Sequence, residues 1–531
     1  MDEPSPGRWR PAECWGIALV TLLLVALRLM TLPRYLSMWD VFSLAQGVTD
    51  FDVSRMQPHA PGYFVYVMLA RPLYCLLGNP LTALYVETLA LTALGVPLLY
   101  ALGRQLAEPR LAAVWAVWWA FSPLVWYWSL QPLTYPTEGA LAAGLGLLWL
   151  RAWRRAPVSP WLAGGLFGLV GGIRLSVWIV LAPLFAVTLV RLPGWQRLKA
   201  AAAFVLAGLA WVGPTLWLSG GWRVMRVVSA VYGHAMYLHD SALTGHYTGA
   251  VSQARELARM MIGEFGPLAL LVPVAWWLWL RRGSPVCSRS ALAYVGLWGL
   301  SGIGYLIFFH FGQTGYLVVV LPALQFAVLE VCRRVLDRRG QPPRWWHWRQ
   351  RGPVWLAALL GGGSVLAFVG GYGPSRGADL WDESRHWEQR LDYIQSHFPP
   401  DQTWILSTDW YREFGWYLPD YHTTCIPRLL WSDEKVPPQY HNVYTTYHRS
   451  GEPKRWYYPS GYRPSPLSLP PGVRWLVFSP EMGWVYKGRQ PYQTLRARDE
   501  ILDWLPVAPG QQVVYGYGWW RLEPELEPAA G

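Results

Sequence analysis

The chain has 531 residues, 53% of them apolar and 15% charged, with 45 Lys+Arg against 33 Asp+Glu for a formal net charge of +12. A soluble domain carries roughly 25% charged residues, so this composition, with its 36 Trp, excludes both a conventional soluble protein and an intrinsically disordered one. A nucleic-acid reading of the basic excess fails on its distribution: residues 1–371 hold 29 Lys+Arg against 14 Asp+Glu, and residues 372–531 hold 16 against 19.

In chain order, apolar runs near the ~20 residues needed to cross a bilayer fall at 14–33, 81–102, 111–129, 136–152, 159–173, 175–191, 200–218, 265–280, 291–309, 315–332 and 353–371. They predict a polytopic α-helical membrane protein of about eleven transmembrane helices. No small-residue cleavage site follows the first run, so it is expected to remain as a helix. Basic residues gather in alternate loops: Arg8 and Arg10; Arg104 and Arg110; Arg151, Arg154 and Arg155; Arg191, Arg197 and Lys199; Arg281, Arg282 and Arg289; and the stretch from Arg333 to Arg351. The positive-inside rule then puts the N-terminus in the cytoplasm of a cell (inner) membrane protein, with the C-terminus outside. Most of the basic excess is thus an orientation signal.

The run GYFVYVMLARPLYCLLG at 62–78 carries Arg71-Pro72 at its centre, and counting it as a span would reverse every later loop. It is read as an interfacial or re-entrant helix. Two domains are expected: a transmembrane catalytic domain over 1–371, with external loops at about 34–80 and 219–264, and an extracytoplasmic soluble α/β domain over 372–531. In that tail DESRHWEQRLDYIQSHF has helical spacing, TWILS and RWLVFS read as buried strands, and QQVVYGYGWW reads as a late strand pair. The Pro-, Tyr- and His-rich stretch 419–472 predicts long irregular loops.

Ionisable residues are costly inside spans, and here the mid-membrane is almost empty of them: Arg28 and Glu87 lie within spans and Glu330 near an inner end. A transporter's midplane relay of acids or histidines is not written in this pattern. Polar groups crowd the external ends of spans instead: Asp40, Asp50, Asp52, Arg55 and His59 in the first loop, Glu138 at the outer start of the fourth span, Arg174 between the fifth and sixth, and His310 and Gln313 between the ninth and tenth. Their common level suggests one site at the outer surface, suited to a lipid-borne donor whose phosphate lies at headgroup depth. Arg and His there can bind phosphate, and one carboxylate can take the proton of an attacking hydroxyl.

The order of short motifs, SMWD after the first span, QPHAPGYFVYVML closing the first loop, YALGRQL ending one span and LAAVWAVWWAFSPL opening the next, resembles the GT-C superfamily. More narrowly it resembles family-39-like bacterial enzymes related to protein O-mannosyltransferases and lipid A aminoarabinose transferases. The resemblance implies a polyprenyl-phosphate-sugar donor, a catalytic acid in the first external loop and an extracytoplasmic C-terminal domain. Carried over by position, Asp40 matches the loop acid, HAPG with His59, Pro61 and Gly62 matches a Pro-rich segment, and Glu138 matches a second acid. HFGQTGYLVVVLPAL at 310–324 matches a late external turn. His59 stands where a related group of enzymes has lysine, Ala60 breaks a double proline, and Glu138 replaces the more usual Asp.

The expected function is transfer of a sugar from that donor to an acceptor hydroxyl on protein, lipid or glycan, with inversion at the anomeric carbon. Asp40 and Glu138 are the candidate catalytic acids, and Arg55, His59, Arg174 and His310 the phosphate ligands. Gln313, Tyr316, His234 and His239 are candidates for sugar or acceptor contacts. Simpler readings stand beside these: Asp40 as a helix cap, Asp50 and Asp52 as solvated loop acids, Arg55 and His59 as headgroup anchors, and Glu138 as a dipole-complementing acid. His234, His239, Asp240 and His246 have residue types that suit zinc or manganese, so a divalent metal is left open. In the tail, Asp409, Arg412 and Glu413 are read as loop ligands or as helix caps. The alternative functions are a transporter or flippase of a lipid-linked sugar, and an envelope assembly protein.

Overall fold

The computed structural model describes residues 9–233, 241–243, 250–274, 289–309, 313–337, 352–371, 375–407, 410–425, 443–446, 454–457, 465–469, 472–479, 493–497, 500–508, 511–516 and 519–524. The chain divides into two compact units, one of residues 1–32, 61–217 and 236–380 and the other of 33–60, 218–235 and 381–531.

The first unit is helical: α1 (Pro11–Met30), α3 (Phe64–Leu77), α4 (Pro80–Leu106), α5 (Pro109–Phe121), α6 (Pro123–Ser129), α7 (Tyr135–Trp153), α8 (Pro160–Val170), α9 (Leu175–Arg191), α10 (Trp195–Leu218), α12 (Ala250–Phe265), α13 (Arg289–Phe308), α14 (Leu321–Asp337) and α15 (Gly352–Val369). Between α1 and α3 the second unit contributes α2 (Trp39–Thr49), and after α10 it contributes α11 (Gly221–Gly233). Each expected apolar run is helical over most of its described length. Among the described residues four helical stretches are individually long and apolar enough to span: Pro11–Met30, Pro80–Leu106, Trp195–Leu218 and Ala250–Val274. The pair α5 and α6, bent by 48°, makes a fifth.

One boundary differs from the sequence reading. The run expected at 265–280 belongs to a helical stretch that starts at Ala250, because residues 250–265 are polar on one face and escape a plain hydropathy test. The run at 62–78 folds as a 14-residue helix with Pro72 inside it. At 1.5 Å per residue this is about 21 Å, short of the ~30 Å hydrocarbon core.

Breaks and contacts follow from single residues. Pro123 cannot continue α5, and Ser122 Oγ accepts the Val125 N–H at 3.4 Å to start α6. Glu264 from α12 takes the Ser122 hydroxyl and accepts the Leu124 N–H at 3.1 Å. Trp119 of α5 sits against two glycines: a Cβ on Gly95 would lie 2.3 Å from its ring, and one on Gly139 3.0 Å. Gly164 and Gly168, four apart on α8, let that helix approach the α10 backbone, since added Cβ atoms would lie 1.8 Å from the Ala200 carbonyl and 2.5 Å from that of Phe204. Small residues at this spacing permit close helix contact where solvent exclusion contributes little.

In the second unit, β1 (Thr403–Ser407), β2 (His422–Cys425), β6 (Trp475–Phe478), β7 (Gln493–Ala497) and β8 (Glu500–Pro506) form a sheet of order β2-β1-β6-β8-β7. β1 runs parallel to β2 and β6, and β8 runs antiparallel to β6 and β7. The helices α16 (Gly377–His397) and α17 (Tyr411–Tyr417) complete it. Trp387, Leu391, Ile394 and Phe398 pack with Ile405, Phe414, Leu418 and Val477 in its core. β9 (Gln511–Gly516) pairs antiparallel with β10 (Trp519–Pro524) and β5 (Ser465–Ser468), and β3 (Val443–Thr446) with β4 (Lys454–Tyr457). The expected tail helix and strands are all present. Within 419–472, where composition predicts irregular loops, four short strands occur; backbone pairing rather than side-chain alternation defines them.

Replacing Gly164 by Val is expected to push α8 off α10 and cost about 1–3 kcal/mol or more, read as a lower thermal unfolding midpoint in detergent. Gly165→Ala, whose Cβ would meet only Ala203 at 4.0 Å, should leave the midpoint in place. Equal midpoints for both variants would contradict the α8–α10 contact.

Candidate active site

In the second unit the chain leaves an extended Met38 and enters α2, putting Asp40 in the first turn, where the helix dipole favours a carboxylate. Asp40 keeps a quarter of its side chain exposed, and its Oδ1 lies 3.6 Å from Nδ1 of the buried His59. That is an ion-pair separation, longer than a hydrogen bond. Ser43, one turn along α2 from Asp40, accepts the His59 backbone N–H at 3.0 Å and lies 3.0 Å from Nδ1. The Trp39 and His59 rings are 5.5 Å apart. Gly47 makes the approach possible, since a Cβ there would lie 2.6 Å from Pro58.

Between α2 and His59, Asp52 accepts from the Ser54 N–H at 2.9 Å, the Ser54 hydroxyl at 2.6 Å and Arg55 Nε at 2.8 Å. Asp52 is therefore a buried cap, not a solvated acid. Arg55 Nη2 also donates to Asp50 at 2.5 Å. Burial alone would lower the Arg55 pKa, but the bonds to Asp52 and Asp50 outweigh it and raise the guanidinium above its ordinary value. Arg55 is fully ionised and already answered by two carboxylates, which reduces what it can offer a phosphate.

In the first unit Arg174, the residue before α9, meets Glu138, in the first turn of α7. Arg174 Nε is 2.6 Å from Glu138 Oε1, with both side chains buried. The contact is an ion pair without hydrogen-bond alignment. Nη1 of Arg174 donates to Thr134 Oγ1 at 2.8 Å, and Ser176 Oγ donates to Glu138 Oε2 at 3.4 Å. Three tyrosines surround the guanidinium: its Cζ is 3.7 Å from the Tyr135 ring centroid, 4.7 Å from that of Tyr316 and 5.9 Å from that of Tyr63. Gly315 lets the Tyr316 turn reach Tyr135, since a Cβ there would lie 2.4 Å from that ring. Gln313 caps the same turn, with its Oε1 buried and without a hydrogen-bond partner among the described residues. A small, open cleft is lined by Pro61, Tyr63, Arg174, Leu175, Ser176 and Tyr316.

Two groups of expected residues thus assemble, Asp40 with His59 and Glu138 with Arg174 and Tyr316. His234, His239, Asp240, His246, His310 and Asp409 lie outside the described residues. Among the described residues no group of three His, Cys, Asp or Glu side chains could hold a metal ion. The sequence reading passed over Ser43, Trp39, Tyr63, Tyr135 and Ser176, and gave Thr134 only as a candidate cap of the fourth span. Tyr135 and Thr134 stood in plain view beside Glu138 in TYPTEGAL, but nothing local marks them as partners of a residue forty positions away. Arg28, isolated within a span, is buried with Nε on Ser129 Oγ at 3.1 Å and Nη2 on the Ala120 carbonyl at 2.6 Å, over the Trp126 ring.

No family model matches the chain, and no curated protein does. Two solved structures of ArnT from Cupriavidus metallidurans are similar to it at 14% identity, each match covering 92% of this chain and 97% of that one. The structure bound to undecaprenyl phosphate gives a TM-score of 0.52 and the apo structure 0.55. The likeness is one of fold: a polytopic helical protein with a C-terminal α/β region.

Removing one partner of a buried ion pair typically costs about 3–5 kcal/mol, so Arg174→Met should lower the unfolding midpoint sharply by leaving Glu138 buried without its counter-ion. The double variant Arg174→Met/Glu138→Gln should recover much of that loss. A double variant as unstable as the single one would contradict the pairing.

Proposed function

We propose that this protein is a membrane glycosyltransferase that moves a sugar from a polyprenyl-phosphate-linked donor to an acceptor hydroxyl at the outer face of the cell (inner) membrane. The observation that carries the reading is the Asp40–His59 pair, a partly exposed carboxylate beside a buried imidazole in the loop where the GT-C resemblance expects the catalytic acid. Likeness of fold to a protein solved with undecaprenyl phosphate supports the donor class. On this reading residues 1–371 form the transmembrane catalytic domain, with the N-terminus cytoplasmic and residues 372–531 extracytoplasmic.

The chemistry follows from charge. Asp40 takes the proton of the acceptor hydroxyl as its oxygen attacks the anomeric carbon, and the bond from that carbon to the phosphate oxygen breaks, its electron pair leaving with the lipid phosphate. A phosphate is a good leaving group, so no second carboxyl group is needed to protonate it, in contrast to glycosidases. Within the first unit Arg174, with a fixed charge and forked donors, is the candidate phosphate ligand, and Tyr63 and Tyr316 beside it offer faces for a sugar ring. Glu138 then has a plain role: it holds Arg174 in place and neutralises it until the phosphate arrives. One displacement by one base inverts the anomeric centre.

In lipid-reconstituted protein, Asp40→Asn should lower the turnover of a polyprenyl-phosphate sugar by about 100-fold or more while binding of undecaprenyl phosphate persists. A folded Asp40→Asn protein with full activity would remove Asp40 from the mechanism. Wild-type protein that moves the intact donor across a bilayer and releases no polyprenyl phosphate in the presence of acceptor would instead favour a transporter.

A further inference from the structure

Arg412 is fully buried at the start of α17, where sequence alone suggested a loop ligand or a helix cap. Its Cζ lies 4.7 Å from the Trp39 ring centroid and 5.4 Å from that of Tyr411, and its Nη2 donates to the Arg55 carbonyl at 3.3 Å. One guanidinium therefore touches the segment 33–60 at two points, the residue just before Asp40 and a residue four before His59. The Trp39 ring in turn lies against the His59 ring.

Tyr417, on the same short helix, grips the entry to α2. Its hydroxyl accepts the Leu36 N–H at 2.7 Å and donates to the Leu36 carbonyl at 3.0 Å. Burial raises the Tyr417 pKa above its ordinary value, so the hydroxyl keeps the proton it donates. Ser384 Oγ on α16 accepts the Tyr35 N–H at 2.9 Å, and Phe42 packs 5.8 Å from Trp416 and 5.5 Å from Tyr417. Burying a guanidinium costs several kcal/mol before any compensation, and a well-packed apolar side chain would stabilise α17 more cheaply. What the cation adds is a fixed distance between two parts of the segment that carry Asp40 and His59.

We infer that Arg412 is a positioning residue for the Asp40–His59 pair, so that the C-terminal α/β region sets the geometry of the base. The inference rests on the glycosyl-transfer reading for its kinetic arm only. In full-length protein in lipid, Arg412→Met should lower kcat about ten-fold or more with the donor KM within about two-fold of wild type. Arg412→Lys, which keeps a cation and a donor, should regain most of that loss. Hydrogen–deuterium exchange should quicken in the peptides covering 33–60 of the Met variant while the β1–β2–β6 sheet keeps its wild-type rate. If Arg412→Met does not fold, Tyr417→Phe supplies the same two readouts.

A folded Arg412→Met protein with wild-type kcat, or with unchanged exchange over 33–60, overturns the inference. So does a kcat loss that Arg412→Lys leaves untouched and that comes with sheet-wide exchange, because that is general destabilisation. If the wild-type protein transfers no sugar from any polyprenyl-phosphate donor, the functional reading fails by itself, and the exchange measurement still decides whether Arg412 positions the segment.

Discussion

Charge inside a low-dielectric helical bundle has to be answered within the bundle, and this constraint orders the functional part of the molecule. Arg174 cannot be left alone where it lies, so Glu138 and Thr134 come to it from one side and the tyrosine rings from the others. To bring them together α7 must begin just after Thr134, α9 just after Arg174, and the turn at 314–317 must pass close to Tyr135, which Gly315 permits. The cleft is a by-product of that assembly. Arg28 meets the same demand differently, with a hydroxyl, a carbonyl and an indole face in place of a counter-ion.

The loop that carries Asp40 is organised by the same rule at smaller scale. Asp52 and Asp50 hold Arg55, Ser43 holds His59, and Gly47 lets the returning chain lie against α2. Asp40 is left as the carboxylate in this segment with a neighbour at 3.6 Å and an open side. A base needs that combination: an environment that orients it and a path for the hydroxyl to reach it.

The helical content was legible because apolar runs of about twenty residues have few other outcomes, and the tail strands TWILS and RWLVFS were legible because short buried runs bounded by polar residues behave alike in any fold. The polar positions at span ends were also readable, since ionisable residues within a bilayer are rare enough to notice. What sequence could not supply was pairing. Glu138 reads from sequence as a catalytic acid or a dipole-complementing one, with nothing to pair it with Arg174, and Asp52 reads as solvated although it caps its own turn. Arg412 and Tyr417 sit more than 350 residues from the segment they hold, and no periodicity connects them. The start of the helical stretch at Ala250 was missed for the opposite reason, because a one-sided apolar face averages out in a hydropathy window.

The function proposed above makes Asp40 the base of a direct displacement at a lipid-linked sugar. The most direct test is the anomeric configuration of the product, determined by NMR on material made by the wild-type protein from a polyprenyl-phosphate sugar of known configuration. The account predicts the inverted anomer, with one polyprenyl phosphate released for each sugar transferred. A retained anomer would require a covalent intermediate or a second nucleophile and would contradict a single displacement driven by Asp40.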